Sequence, residues 1–137
     1  MTSPLIKHAT DATFDEVVIH ADRPVIVDFY ADWCGPCKAL AVTMEKLAVK
    51  YKGAVDVVKV DVDANPGLSE RFGIRGIPVV EFFRPGVTER RSIVGPWPLG
   101  SLERAFSLPT YLEKPAGKAG GAAAEPEPEK EQESVTA

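Results

Sequence analysis

The two cysteines of this chain stand in Trp33-Cys34-Gly35-Pro36-Cys37-Lys38, two residues apart and directly between a strand-like run and a helix-like run. Upstream, Val25-Ile26-Val27-Asp28-Phe29-Tyr30 is β-branched or aromatic except at Asp28. Downstream, Leu40, Met44, Leu47 and Tyr51 recur at helical spacing. A chain with this junction must build a strand–loop–helix unit with Cys34 at or near a helix N-terminus. Unpaired backbone N–H groups and the positive end of the helix dipole favour thiolate over thiol there. The thiolate is the nucleophile of disulfide exchange, so the pair reads as a redox site.

Other uses of a Cys-x-x-Cys pair fit less well. As a structural staple, so short a ring would gain only roughly 2 kcal/mol in the loop-closure model. A structural zinc site needs four ligands, and His8 and His20 lie far upstream with no second close pair, so no metal is expected. Attachment of a c-type haem needs a histidine directly after the second cysteine, where Lys38 stands.

The chain has 137 residues, 45% of them hydrophobic, which is enough for one core. A net charge of −4 without clustered Lys and Arg argues against nucleic acid or an anionic membrane as partner. Lys7, Asp11, Asp15 and Glu16 interrupt the first twenty residues, where the longest apolar run is Val17-Val18-Ile19, far short of a signal-peptide core or a span. A cytoplasmic monomer is therefore expected, in a reducing compartment that suits cysteines that cycle.

Composition changes near residue 113. From Ala116 onward there is no aromatic residue, and Ala, Gly, Pro and Glu dominate, so burial cannot offset the entropy of ordering. The expectation is a domain over 1–112 and a disordered acidic tail over 113–137. Truncation after Pro115 should accordingly leave both fold and redox activity intact. A melting temperature lowered by more than a few degrees would count against that expectation.

Within the domain the periodicities alternate. Leu5–His8 reads as a weak strand, and Thr10 or Asp11 is placed to cap a helix carrying Phe14, Val17 and Val18. A strand over 24–30, a helix from about 34 to 51 and a strand over Val55–Val60 follow. Asn65-Pro66 opens a short helix through Phe72. Pro78–Phe83 reads as a strand that turns at Arg84-Pro85-Gly86-Val87, suited to a type II turn, and returns near 88–94. Gly100–Phe106 supplies a last helix. Strand–helix–strand alternation closed by a hairpin implies an α/β fold, a mixed central sheet with helices on both faces.

Three segments carry a family resemblance: Val27-Asp28-Phe29-Tyr30-Ala31-Asp32-Trp33-Cys34-Gly35-Pro36-Cys37-Lys38, Val60-Asp61-Val62-Asp63-Ala64-Asn65-Pro66, and Gly73-Ile74-Arg75-Gly76-Ile77-Pro78. Together they resemble the thioredoxins, from about Leu5 to Leu112. The resemblance implies the thioredoxin fold and a protein-disulfide reductase that binds no cofactor, its redox centre being the Cys34–Cys37 disulfide. It implies two kinds of partner: a flavin-containing, NADPH-dependent thioredoxin reductase, and disulfide-containing client proteins.

It also implies roles. Cys34 resembles the family's exposed attacking thiolate and Cys37 its buried resolving thiol, with Gly35 and Pro36 setting the loop. Asp28, on one strand face with Ile26 and Tyr30, should be buried with a raised pKa and exchange a proton with Cys37, and Lys59 matches the lysine that partners it. Trp33 should pack beside the loop, its indole within reach of Asp61 or Asp63. Pro78 is expected to be cis against the cysteines. Gly76, Ile77, Val94, Gly95 and Pro96 then resemble the rim of a substrate groove, with Trp97 either a groove wall or a loop anchor.

Two residues depart from the family pattern. Val42 replaces a helix-interior proline, so the helix should be less kinked. Glu81 puts a charge inside a strand, either paired locally or close enough to Asp28 or Lys59 to tune them. Two rival functions stand beside the reductase: a binding module or adaptor in which redox cycling is incidental, and an oxidase or isomerase, against which Gly35-Pro36 argues.

Overall fold

A computed structural model describes residues 4–113. Of the tail expected over 113–137, all but Glu113 lies outside these residues. Five strands form one sheet: β1 Ile6–His8, β2 Val25–Tyr30, β3 Asp56–Asp61, β4 Val79–Arg84 and β5 Val87–Val94. Their spatial order is β1-β3-β2-β4-β5. β1 and β2 both run parallel to β3, whereas β4 runs antiparallel to β2 and to β5. The sheet is mixed, as the alternation implied, with β2 at its centre and buried on both faces.

The crossover from β2 to β3 is α1, Gly35–Lys50, and it determines which side of β2 meets the active loop. Leu40, Met44 and Leu47 pack with Ile26, Val57, Val80 and Phe82, and with Leu102 and Phe106 of α3, Leu99–Phe106. The opposite face is covered by a single π-helical turn, Asp15–Ile19, and by α2, Pro66–Arg71. There Phe14, Val18 and Leu68 pack against Val25, Val27, Phe29, Val58 and Val60. A last short helix, α4, spans Pro109–Glu113. No described helix is long and apolar enough to cross a membrane. Val42 faces solvent on α1, which runs unbroken through that position. Gly86 adopts φ 74°, the left-handed value that a type II turn requires.

The two expected caps divide their work. The Thr10 hydroxyl accepts from the Ala12 and Thr13 N–H groups at 3.2 Å and so serves its own turn. Asp11 reaches across to α2, where its carboxylate accepts from Leu68 N–H at 2.8 Å and Gly67 N–H at 3.2 Å. Asn65, which precedes that helix, uses its side-chain oxygen to accept from Asp11 N–H at 2.9 Å. Asp11→Ala should therefore uncap α2 and cost about 1 kcal/mol. Thermal unfolding should register a drop of about 4–8 °C.

Candidate active site

Cys34 is the N-cap residue of α1, with extended backbone (φ −88°, ψ 113°), and Cys37 lies in the first turn. The two are joined as a disulfide with Cα atoms 5.2 Å apart. The Cys37 N–H donates to Cys34 Sγ at 3.1 Å. Pro36 occupies a first-turn position where a missing N–H costs no helix hydrogen bond. Exposure does not separate the two residues: both cysteines are 4% exposed, whereas the resemblance implied an exposed Cys34 over a buried Cys37. Position separates them. Cys34 Sγ receives a helix-terminal N–H and sits where the dipole favours negative charge, and that is the asymmetry a nucleophile needs.

Asp28 lies on β2 with its side chain wholly buried, on the face that α1 covers. Neither carboxyl oxygen has a hydrogen-bond partner. Burial pushes its pKa up to about 7, with the Lys59 charge pulling in the other direction. Lys59 is its direct register partner on β3, yet no ion pair joins them among the described residues. The Lys59 ammonium stands instead 4.4 Å above the Tyr30 ring. Two residues along β2 from the acid, Tyr30 packs on the cluster of Ala31, Cys34 and Cys37.

The residues expected at the rim come from three segments. The Ile77–Pro78 bond is cis, and Ile77 packs on the cluster of Ala31, Cys34 and Cys37. Pro78 C=O accepts from Gly95 N–H at 2.9 Å, which fastens the Val94–Trp97 loop to the proline. Trp97 both anchors and faces outward: its indole N–H donates to Val94 C=O at 3.1 Å, and it stays 39% exposed. Val94 and Pro96 are exposed beside it, and Gly76 is exposed before Ile77. Trp33 is tethered more than packed. It is 69% exposed, with its indole N–H donating to Asp63 Oδ2 at 2.7 Å. Asp61 is occupied locally, accepting from Asp63 N–H at 2.9 Å.

Glu81 cannot tune Asp28. In the β2–β4 register Glu81 stands opposite Val27 and Asp28 opposite Val80, so the two acids occupy opposite faces of the sheet. Glu81 is 2% exposed and paired locally, its oxygens accepting from Arg90 Nε–H and, at 2.6 Å, from Ser92 Oγ–H. Burial raises its pKa while Ser92 and Arg90 oppose the rise. Glu81→Gln should leave the pH profile of disulfide exchange unchanged. Arg90→Met should cost roughly 2–3 kcal/mol in denaturant unfolding, because it strands a buried charge.

Among the described residues, no group of three or more His, Cys, Asp or Glu is placed to hold a metal ion. The contact that sequence reasoning missed is Lys59 on Tyr30. Alternation along β2 already put Tyr30 on the Asp28 face, but the register that brings Lys59 alongside comes only from strand pairing.

A family model described as Thioredoxin matches residues 5–107. The thioredoxin of Thiocapsa roseopersicina is 42% identical over 87 residues, covering 64% of this chain and 96% of that protein. That of Pseudomonas aeruginosa is 40% identical over 88 residues, covering 64% and 82%. A chloroplastic M-type thioredoxin of Spinacia oleracea is 39% identical over 107 residues, covering 78% of this chain and 58% of that protein. The crystal structure of chloroplastic thioredoxin z superposes with a TM-score of 0.71 at 28% identity, covering 82% of this chain and 99% of that one.

Proposed function

The chain belongs to the thioredoxin family and is a thiol–disulfide oxidoreductase, and from that premise we propose that it is a general protein-disulfide reductase recharged by thioredoxin reductase. The Cys34 thiolate attacks one sulfur of a client disulfide, the other client sulfur leaves as a thiolate, and a mixed disulfide remains. Cys37, deprotonated by Asp28, then attacks Cys34 Sγ. The second client thiolate departs and the Cys34–Cys37 disulfide closes, two electrons having passed to the client. The observation that carries this reading is Cys34 at the N-terminus of α1 with a buried, unpartnered Asp28 on the covered face behind it.

In this scheme Lys59 moderates the acid, Trp33, Gly35, Pro36 and Pro78 shape the loop, and an extended client segment lies along Gly76, Ile77, Val94, Gly95, Pro96 and Trp97. The Gly-Pro dipeptide favours a reductant over an oxidase or isomerase. The working unit is residues 1–112, acting as a cytoplasmic monomer, and 113–137 serves as a solubilising tail.

The test is NADPH consumption with a thioredoxin reductase and a disulfide protein as final acceptor. Oxidation of NADPH in step with client reduction, lost in Cys34→Ser, supports the reading. A protein that the reductase does not reduce, or that oxidises dithiols preferentially in a redox titration, would overturn it.

A further inference from the structure

Two neighbours compete for the Lys59 ammonium. Asp28 faces it in direct register across β2 and β3, and an ion pair in that buried position would be the stronger simple attraction. The ammonium nevertheless lies 4.4 Å over the ring of Tyr30, two residues along β2 on the same face, while both Asp28 oxygens go without a hydrogen-bond partner. A lysine stem spans such a diagonal readily. The ring is itself held, packed against the cluster of Ala31, Cys34 and Cys37.

We propose that Tyr30 is a positioning residue for disulfide exchange, its ring face holding the Lys59 ammonium off the Asp28 carboxyl so that the buried acid stays free to trade a proton with Cys37. The inference rests on Asp28 acting as that proton acceptor. A bound cation over an aromatic face is a recognised attraction that strengthens as water is excluded. It needs only to decide between two rotamers of one half-buried lysine. The ion pair it prevents would lower the affinity of Asp28 for a proton and make it a poorer base.

The other groups around the acid are few. Val80 of β4 stands opposite it, and Tyr30, two residues along β2, packs on the cluster that holds Cys34 and Cys37. Asp61, the register partner of Tyr30, and Asp32 carry charges near the ring, and His8 on β1 is in register with Lys59. Asp61, two residues from Lys59 along β3, is able to draw the ammonium the same way, so the test includes it.

The experiment follows the Asp28 carboxyl carbon by NMR through a pH titration of the full chain in its disulfide form. Wild type, Tyr30→Phe, Tyr30→Leu and Asp61→Asn are compared. Tyr30→Phe keeps the ring face and should titrate as wild type. Tyr30→Leu should lower the Asp28 midpoint by about one pH unit, the lower end of what a close opposite charge produces. The pH midpoint of mixed-disulfide resolution should move with it. A folded Tyr30→Leu with an unmoved midpoint, an equal drop in Tyr30→Phe, or a drop in Asp61→Asn alone would each overturn the proposal. Should Tyr30→Leu fail to fold, the wild-type Lys59 ε-methylene protons decide: ring-shifted resonances support the contact, and ordinary ones refute it. Because the titration uses no client, a moved midpoint with unaltered resolution in Asp28→Asn would fault the proton-acceptor role and not the placement of Lys59.

Discussion

Cys34→Ser is expected to abolish disulfide reduction, whereas Cys37→Ser is expected to stop after one event per molecule with the client still attached. The difference follows from position on α1. Only Cys34 is the N-cap residue, where it receives the Cys37 N–H and the positive end of the dipole. Removing it removes the nucleophile. Removing Cys37 leaves attack intact and deletes the group that breaks the mixed disulfide. Mass spectrometry of proteins captured under non-reducing conditions checks this: Cys37→Ser should carry clients through Cys34. Comparable yields of clients bound through Cys37 in Cys34→Ser would reverse the roles. Since both cysteines are equally buried, that result would show that access after client binding outweighs the helix terminus.

The second large effect is expected at Asp28. Its carboxyl is pushed up to about 7 by burial, from an ordinary 3.8. Between those values the folded protein holds a proton that the unfolded chain has lost. The contribution of Asp28 to stability should be greatest below about pH 4, fall as pH rises toward 7, and level off above, a loss of roughly 4 kcal/mol across the window. Asp28→Asn cannot ionise, so its stability should lack this fall and exceed that of wild type above pH 7, the difference between the two growing from about pH 4 to about pH 7. The gain should be smaller than the full window, because an amide without a partner still costs about 1–3 kcal/mol. Denaturant unfolding at pH 5 and pH 8 checks both the slope and its sign.

The same variant should resolve mixed disulfides up to about 10²-fold more slowly near neutral pH, with water replacing the base in part. Attack by Cys34 should change far less. An Asp28→Asn protein that is destabilised and yet reduces disulfides at the wild-type rate across pH 6–8 would make Asp28 a structural charge. Glu81 would not inherit its role, because the pleat points it away from the cysteines.

What the residues determined unaided was whatever depends on local order. The run Val25–Tyr30, the apolar stripe of α1 and the Cys-x-x-Cys pair between them dictated a strand–loop–helix unit with Cys34 at its turn, because periodicity and capping are properties of neighbours in the chain. Alternation in β2 likewise put Asp28 and Tyr30 on one face. The tertiary structure decided everything that depends on which strand lies beside which. It placed β3 against β2 so that Lys59 meets Asp28 yet rests on Tyr30, and it turned Glu81 to the far face, where Arg90 and Ser92 receive it. It took Asp11 from its own turn to the end of α2, across more than fifty residues. It also buried Cys34 as deeply as Cys37, so that the difference between them became one of electrostatics. Register and burial arise from contacts between segments far apart in the chain, and no local pattern encodes a pairing that the sheet makes only when it closes.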